Sequence, residues 1–498
     1  MVDPAARGLP VEERTLVAQE LLAGYPPSHS PNPDRLATIA AQPGNVLVVI
    51  DDDPTGSQSV AEVPVLTSWE EADFLWAFAQ SSPVVFVLTN SRSVDANEAA
   101  ARNEAAVDNA IHASRASGHR LTFLSRSDSI LRGHFPQETD AIERALLRAG
   151  APAIDAVVLV PAFPSAGRIT VEGIHYLREG ENLVPAAQTQ FASDASFAYQ
   201  HSDLRAYVEE KTNGRTRAQD VTVIDLTTIR TSARAIAQSV GAASDGSVIV
   251  ADCVTDDDLV ALSDGFALAE SDGKVFLYRT GPAFVAARVG QGRSTPLDVT
   301  EALAGAESRE PGGLIVVGSH VDLTNRQLEA LHAARPDILE IEVDVERFTR
   351  AGGSDESTTT YLQSVVSQIS DGLKKNDVLI RTSRSLRMGT SPEESLRIAR
   401  SVSAGISAIV HAVASDVRPR FVIAKGGITS NDTASDGLEI RRGMIRGPLL
   451  HGLVSLWQSA EGLAQGIPYV VFPGNVGDRQ ALLAVVSKLS QYPTRSSH

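Results

Sequence analysis

The chain has 498 residues, 43% of them hydrophobic and 21% charged, and carries a formal charge of −17 at pH 7. That length is more than one hydrophobic core serves and points to two domains, and the composition is that of an ordered globular protein. The acidic balance argues against nucleic acid and anionic membrane as partners, and the lone cysteine, Cys253, excludes an internal disulfide and a cysteine-rich zinc site.

Residues 1–44 read as an N-terminal extension, with one helical pattern, VEERTLVAQELLAGY, followed by PPSHSPNPD, whose prolines resist regular structure. Scattered acids and the lack of an uninterrupted apolar core argue against a signal peptide, and no apolar run reaches the roughly 18 residues of a membrane span. A cytoplasmic protein is expected. Short aliphatic runs then alternate with helical patterns: NVLVVI at 45, VVFVLTN at 84, LTFLSRS at 121, AVVLVPAF at 156, VTVIDL at 221 and SVIVADC at 247. After AGAESREPGG, residues 304–313, come GLIVVGS at 313, ILEIEV at 338, DVLIRTS at 377, FVIAKGG at 421 and YVVFPG at 469. This is the signature of βαβ units with buried parallel strands. The expected fold is α/β, with two domains, 45–308 and 309–498, each a largely parallel sheet flanked by helices.

In open parallel sheets, ligands bind beyond the carboxyl ends of the strands. Those ends are polar here. In the first domain they read DDDPTG, TNSRS, SRSDSILRGHF and PAFPSAGR. Arg92, Arg126, Arg132 and Arg168 offer planar forks of donors for a carboxylate or phosphate, although Arg132 could instead pair with Asp128 to pin its own loop. Asp52 and Asp53 could accept sugar hydroxyls, or one of them could act as general base; Asp51 reads first as a turn or capping residue. His134 and His175 lie near these motifs but read as surface or satisfied core residues, and no pair has the HExxH metal spacing.

In the second domain, GSHVDLT from Gly318, AKGGITSND at 424–432 and FPGNVGD at 472–478 each set a glycine turn between strand and helix, with Thr324 as a candidate helix cap. Three such ends together suggest a nucleotide site. A P-loop, a protein-kinase motif set and a dinucleotide fingerprint are all missing.

In these motifs the chain resembles the four-carbon acid sugar kinases. The family's DDxTG matches Asp52, Asp53, Thr55 and Gly56; its DSxLRG matches Asp128, Ser129, Leu131, Arg132 and Gly133; its PAFPxxGR matches Pro161 through Arg168. Its GS and following threonine match Gly318, Ser319 and Thr324, its GGxT matches Gly426, Gly427, Ile428 and Thr429, and its GNxGD matches Gly474, Asn475, Gly477 and Asp478. Arg126 stands where the family usually has lysine, and FPGN where many relatives read KSGN. The resemblance implies an N-terminal acid-sugar domain, a C-terminal ATP domain and an active site in the interdomain cleft. It further implies in-line transfer from ATP, with Mg²⁺, to a terminal hydroxyl of a small sugar acid such as a tetronate or 3-oxo-tetronate. Arg92, Arg132 and Arg168 would orient the acid with Asp128, Ser129 and Gly133, and Asp53 or Asp52 would activate the hydroxyl. Ser319, Thr324, Gly426, Gly427, Ile428, Thr429, Gly474, Asn475 and Gly477 would hold ATP. No metal ligand is assigned, and residues 1–44 are candidates for covering the site or for contacts in a homodimer.

Two rival readings remain. Asp51, Asp53 and Thr55 also satisfy the haloacid-dehalogenase pattern of a Mg²⁺-dependent phosphatase, for which Lys211, in a polar and loop-like segment, would have to be the downstream lysine. A sensor that binds both ligands without transfer is the other.

Overall fold

The computed structural model describes residues 15–28, 31–194, 196–292, 295–306, 310–319, 321–349, 356–383 and 392–491. Every segment read as a strand contains one. The described chain forms two compact units: one comprises the chain up to Asp52 together with Trp69–Gly292, and the other Asp53–Ser68 together with the chain from residue 295 onward.

In the first unit a parallel sheet runs in the order Thr222–Ile224, Ser247–Ala251, Ala156–Val160, Phe276–Thr280, Arg120–Arg126, Asn45–Asp51, Val84–Leu88. Its central strands are buried on both faces, which is why they read as continuous aliphatic runs rather than as alternating ones. Helices return the chain between strands. Ala96–Ser117 starts at Asp95, whose side chain accepts from the N–H groups of Asn97 and Glu98, and ends at Gly118 in the left-handed region. Phe276–Thr280 escaped sequence reading because its apolar run is broken by Arg279, which is nonetheless buried.

A small antiparallel sheet, Leu16–Val17, Asn182–Pro185, Ile174–Glu179, Arg168–Val171, completes this unit. The expected helix over 11–25 is corrected here: Leu16–Val17 is a strand and only Ala18–Leu22 is helical, while residues 1–14 and 29–30 lie outside the described residues. The remainder of the extension packs into the unit. Tyr25 donates to Glu172 at 2.8 Å, Arg230 donates to the Pro26 carbonyl at 2.6 Å, and helix Asp34–Ala40 lies so close to Gly290 that a Cβ there would stand 2.3 Å from the Ala37 nitrogen.

The second unit holds the order Val63–Leu66, Arg442–Leu450, Val454–Ser459, Pro468–Phe472, Val422–Lys425, Leu314–Val317, Val378–Thr382, Leu339–Val343. The last five are mutually parallel; the first three pair antiparallel. Residues 53–68 belong here because Ser57 is buried against Ser455 (2.8 Å) and accepts from the Trp457 indole (3.0 Å), and because Val63 to Leu66 pair with Ile445 to Arg442. The domain boundary expected within 304–313 thus falls inside this unit: Ala302 and Leu297 join the core of Leu331, Phe421, Leu449 and Leu482. Composition marks a loop, but not which core its flanks enter.

Candidate active site

In the first unit, adjacent parallel strands bring Asp51 directly opposite Arg126. Both are buried, and the guanidinium is paired with the Asp51 carboxylate and lies 3.4 Å from Asp52. Arg92, from the turn that Asn90 makes in the left-handed region, reaches the other Asp52 oxygen at 3.2 Å. Burial, the largest influence, pushes the Asp52 carboxyl up to about 7, against the opposing pull of Arg92 and Arg126. Beside it, Gly133 (φ 123°) admits the group: a Cβ there would stand 3.1 Å from Asp52 Oδ2 and 2.9 Å from an Arg279 nitrogen.

The DSILRG loop supplies the next layer. Arg132 Nε donates to Asp128 Oδ2 at 2.6 Å, so the loop-pinning ion pair does form, and the guanidinium lies 5.4 Å from the Phe191 ring centre and 3.7 Å from Asp194. Arg92 approaches Asp128 from the other side, at 3.8 Å. Burial works against ionisation of Asp128, but Arg132, Arg92 and, more weakly, Arg168 outweigh it and hold the carboxyl well below the usual range. Arg168 donates to the Ala166 carbonyl, while its buried Nε has no hydrogen-bond partner among the described residues. Three guanidiniums are therefore arrayed about one carboxylate, an array of donor forks suited to a small anion.

His175 anchors this loop from the small sheet. It is fully buried between the Thr170 hydroxyl (3.0 Å) and the Ser129 carbonyl (2.8 Å), and burial pulls its pKa down to about 4. A base depressed in the folded state destabilises it as pH falls from the unfolded value towards the folded one. Lowering the pH from about 6.5 to about 4 should therefore remove up to about 3 kcal/mol of stability through this group. Denaturant titrations of wild type and His175→Gln across that window should show the wild-type advantage shrinking as pH falls.

In the second unit the predicted nucleotide residues converge. Thr324 is buried, its single hydroxyl lying within hydrogen-bond distance of Ser319 Oγ (3.0 Å) and of the Gly474 carbonyl (3.1 Å). It does not cap its helix: Asp322–Ala334 begins after Val321, and Thr324 sits inside the first turn, tying two strand-end loops together. A Cβ on Gly474 would stand 2.6 Å from Ser319 Oγ, one on Gly318 2.0 Å from Thr429 Oγ1, and one on Gly426 3.3 Å from the same oxygen. Gln327 holds the GNVGD loop by the Val476 and Asp478 carbonyls, at 3.1 and 2.8 Å. Asn475 and Gly477 lie half-buried in that loop, while Ile428 is exposed; His320 lies outside the described residues. Gly318→Ala should drive Thr429 from its place and cost about 1–3 kcal/mol, seen as a lower melting temperature.

Asp53 lies in this unit, not with Asp52. It caps the turn Pro54–Ser59, accepting from the Thr55 N–H at 2.8 Å, and its other oxygen, Oδ2, stands 2.4 Å from where a Cβ on Gly427 would be.

Several polar residues were missed from sequence. Arg279 bridges Ser125 (2.9 Å) and Glu138 (2.7 Å), and Ser91 also donates to Glu138; a lone arginine inside an aliphatic run was the available signal. Lys425 is buried with its amine on the Pro473 carbonyl (3.0 Å) and 3.9 Å from the Phe472 ring centre, and burial lowers its pKa to about 7. The phosphatase reading finds no footing. Its nucleophile, Asp51, is wholly buried against Arg126, and Lys211 ends the helix Leu204–Lys211, donating to the Ala198 carbonyl at 2.5 Å.

Two α/β units, one with arginines about a buried carboxylate and one with converging glycine turns, define a two-domain α/β protein with a distinct polar cluster at the strand ends of each unit. Residues 47–288 match the family described as sugar-binding N-terminal domain, and residues 314–482 match the nucleotide-binding C-terminal domain. The chain belongs to the four-carbon acid sugar kinase family. A D-erythronate kinase of Heliobacterium modesticaldum (strain ATCC 51547 / Ice1) is 28% identical over 302 residues, covering 58% of this chain; the match spans 60% of the relative's length. Among solved structures, a Haemophilus influenzae protein superposes with TM-score 0.56 at 17% identity, over 89% of this chain and 100% of the other. A protein of Salmonella typhimurium LT2 gives TM-score 0.61 at 18% identity, over 89% and 98%. At such identities the likeness carries the fold alone. Among the described residues no helix is long and apolar enough to cross a membrane.

Proposed function

We propose that the protein transfers the terminal phosphoryl group of ATP to a hydroxyl of a small sugar acid of the four-carbon type, such as a tetronate or 3-oxo-tetronate, releasing ADP and a proton. One observation carries this reading. In each of the two domains recognised by family, the motif residues collect at the strand ends with the chemistry that domain needs: arginines around Asp128 in the first, and hydroxyls and glycine turns in the second. The D-erythronate kinase relative supports the choice of acid.

Arg92, Arg132 and Arg168 would bind the substrate carboxylate, each guanidinium offering donors that Asp128 alone does not exhaust. Asp52, set between Arg92 and Arg126, would accept a hydrogen bond from the acceptor hydroxyl and orient it. Ser319, Thr324 and Thr429, with the backbone N–H groups of Gly426, Gly427 and Gly474, would cradle the nucleotide phosphates. Magnesium, when bound, would neutralise charge on the phosphate oxygens. Little covalent chemistry is then required of the protein beyond alignment and exclusion of water.

An ADP-release assay with ATP, Mg²⁺ and a panel of four- and five-carbon sugar acids tests the reading. ADP formed only when an acid is present is the expected result. No acid-dependent ADP would overturn it; phosphate released from phosphoesters would mark a phosphatase, and binding of both ligands without turnover a sensor.

A further inference from the structure

We infer that Asp194 is a specificity-determining residue, reading the hydroxyl on the carbon next to the acid's carboxylate; this deepens the sugar-acid reading of the first unit and rests on it. Asp194 follows the short helical turn Gln190–Ser193. The segment is held against the loop that carries Arg132 at two places. The Phe191 ring centre lies 5.4 Å from the Arg132 guanidinium, and the Phe197 ring meets His134 edge-on with centres 4.9 Å apart. Between them, Asp194 Oδ1 accepts from the N–H groups of Ser196 (2.9 Å) and Phe197 (3.1 Å), which fixes the rotation of the carboxylate. Oδ2 is thereby set towards Arg132, 3.7 Å from Nη1, a separation longer than a hydrogen bond.

Arg132 is fixed in its turn. Asp128 takes its Nε at 2.6 Å, and neither terminal nitrogen donates a hydrogen bond among the described residues. The Arg132 and Asp194 side chains are 23% and 27% exposed, so a small solute can reach both. A pre-set donor fork beside a pre-set acceptor, with a gap between them, matches a carboxylate that carries a hydroxyl on the adjacent carbon. The carboxylate takes the fork. The hydroxyl, which can donate as well as accept, donates to Asp194 Oδ2. An acid without that hydroxyl covers Oδ2 and leaves it no donor, and an acid with a ketone there sets acceptor against acceptor; each forfeits a hydrogen bond to a charged group. Selection thus comes from what the wrong acid leaves unsatisfied as well as from what the right one supplies. Tetronates and 3-oxo-tetronates both carry this hydroxyl, so Asp194 would separate them from 2-deoxy and 2-oxo acids and not from each other.

ADP-release kinetics on the full chain test this, using whichever tetronate is turned over, its 2-deoxy analogue and a 2-oxo analogue, all with the terminal hydroxyl kept. Wild type should favour the tetronate over the 2-deoxy acid by about 10–100-fold in kcat/KM. In Asp194→Ala that ratio should fall below about threefold, with the tetronate losing while the 2-deoxy acid holds its rate or gains. In Asp194→Asn the amide oxygen still serves the turn and the amide nitrogen takes the place of Oδ2, so the 2-oxo acid should gain about fivefold or more, a gain that a damaged loop cannot give. If wild type does not distinguish the tetronate from the 2-deoxy acid, or if both variants lower all three acids by one common factor, Asp194 only pins its loop and the inference is wrong. If no acid yields ADP with wild type, the sugar-acid reading itself fails and this inference with it.

Discussion

Arg132→Ala is expected to lower kcat/KM for the sugar acid by about 10²–10³-fold, mostly through KM, while leaving ADP affinity at the wild-type value. The guanidinium is held from two sides, by Asp128 at 2.6 Å and by the Phe191 ring, so it stands pre-oriented rather than free to search. Removing it leaves Asp128 with Arg92 and, more weakly, Arg168, and takes one fork of donors from the array. Arg132→Lys should rescue little, because an ammonium supplies a point charge without the planar fork and does not stack on Phe191 in the same way. Steady-state kinetics on the best acid of the panel decide it: wild-type kcat/KM in Arg132→Ala would remove this residue from the substrate site.

Arg126→Met is expected to destabilise the protein by about 3–5 kcal/mol at pH 7, because it removes the buried guanidinium that is paired with the Asp51 carboxylate. The double variant Arg126→Met with Asp51→Leu should recover much of that loss, since replacing both members of a buried pair by apolar groups is often nearly neutral. Denaturant midpoints of wild type, the two single variants and the double variant measure the coupling. A single variant as stable as wild type would show that the pair is dispensable.

The fold was readable because its strands are buried on both faces and so announce themselves as aliphatic runs, from Val46–Ile50 to Tyr469–Phe472. Strands that interrupt the pattern were not: Phe276–Thr280 carries Arg279 in its middle, and Arg442–Leu450 contains Gly443, Gly447 and Pro448, residues that read as turn. The motif residues were nearly all visible in the chain, partly through family resemblance, and the structure gathers them within their units. Their partners were not visible. That Arg126 faces Asp51 follows from strand register, which no local pattern encodes, and Thr324 looked like a cap because hydroxyl residues favour caps, whereas burial gives it two acceptors elsewhere. The hardest distinction was between Asp52 and Asp53. Adjacent and chemically identical, they are separated only by tertiary structure, which sends one to a cluster of arginines and the other to a glycine turn.

The short strand Val63–Leu66 pairs with Arg442–Leu450, near the opposite end of the chain. At a bacterial-to-eukaryotic synthesis pace of about 5–20 residues per second, roughly 20–80 seconds separate the emergence of the two from the ribosome. For that interval the wholly apolar strand Val-Pro-Val-Leu lacks the partner it takes within this unit. Its proline removes one backbone donor and so blunts the edge against pairing with a stranger, which makes Pro64 a guard on the nascent chain and Pro64→Val a substitution expected to lower the soluble yield more than the stability of whatever folds.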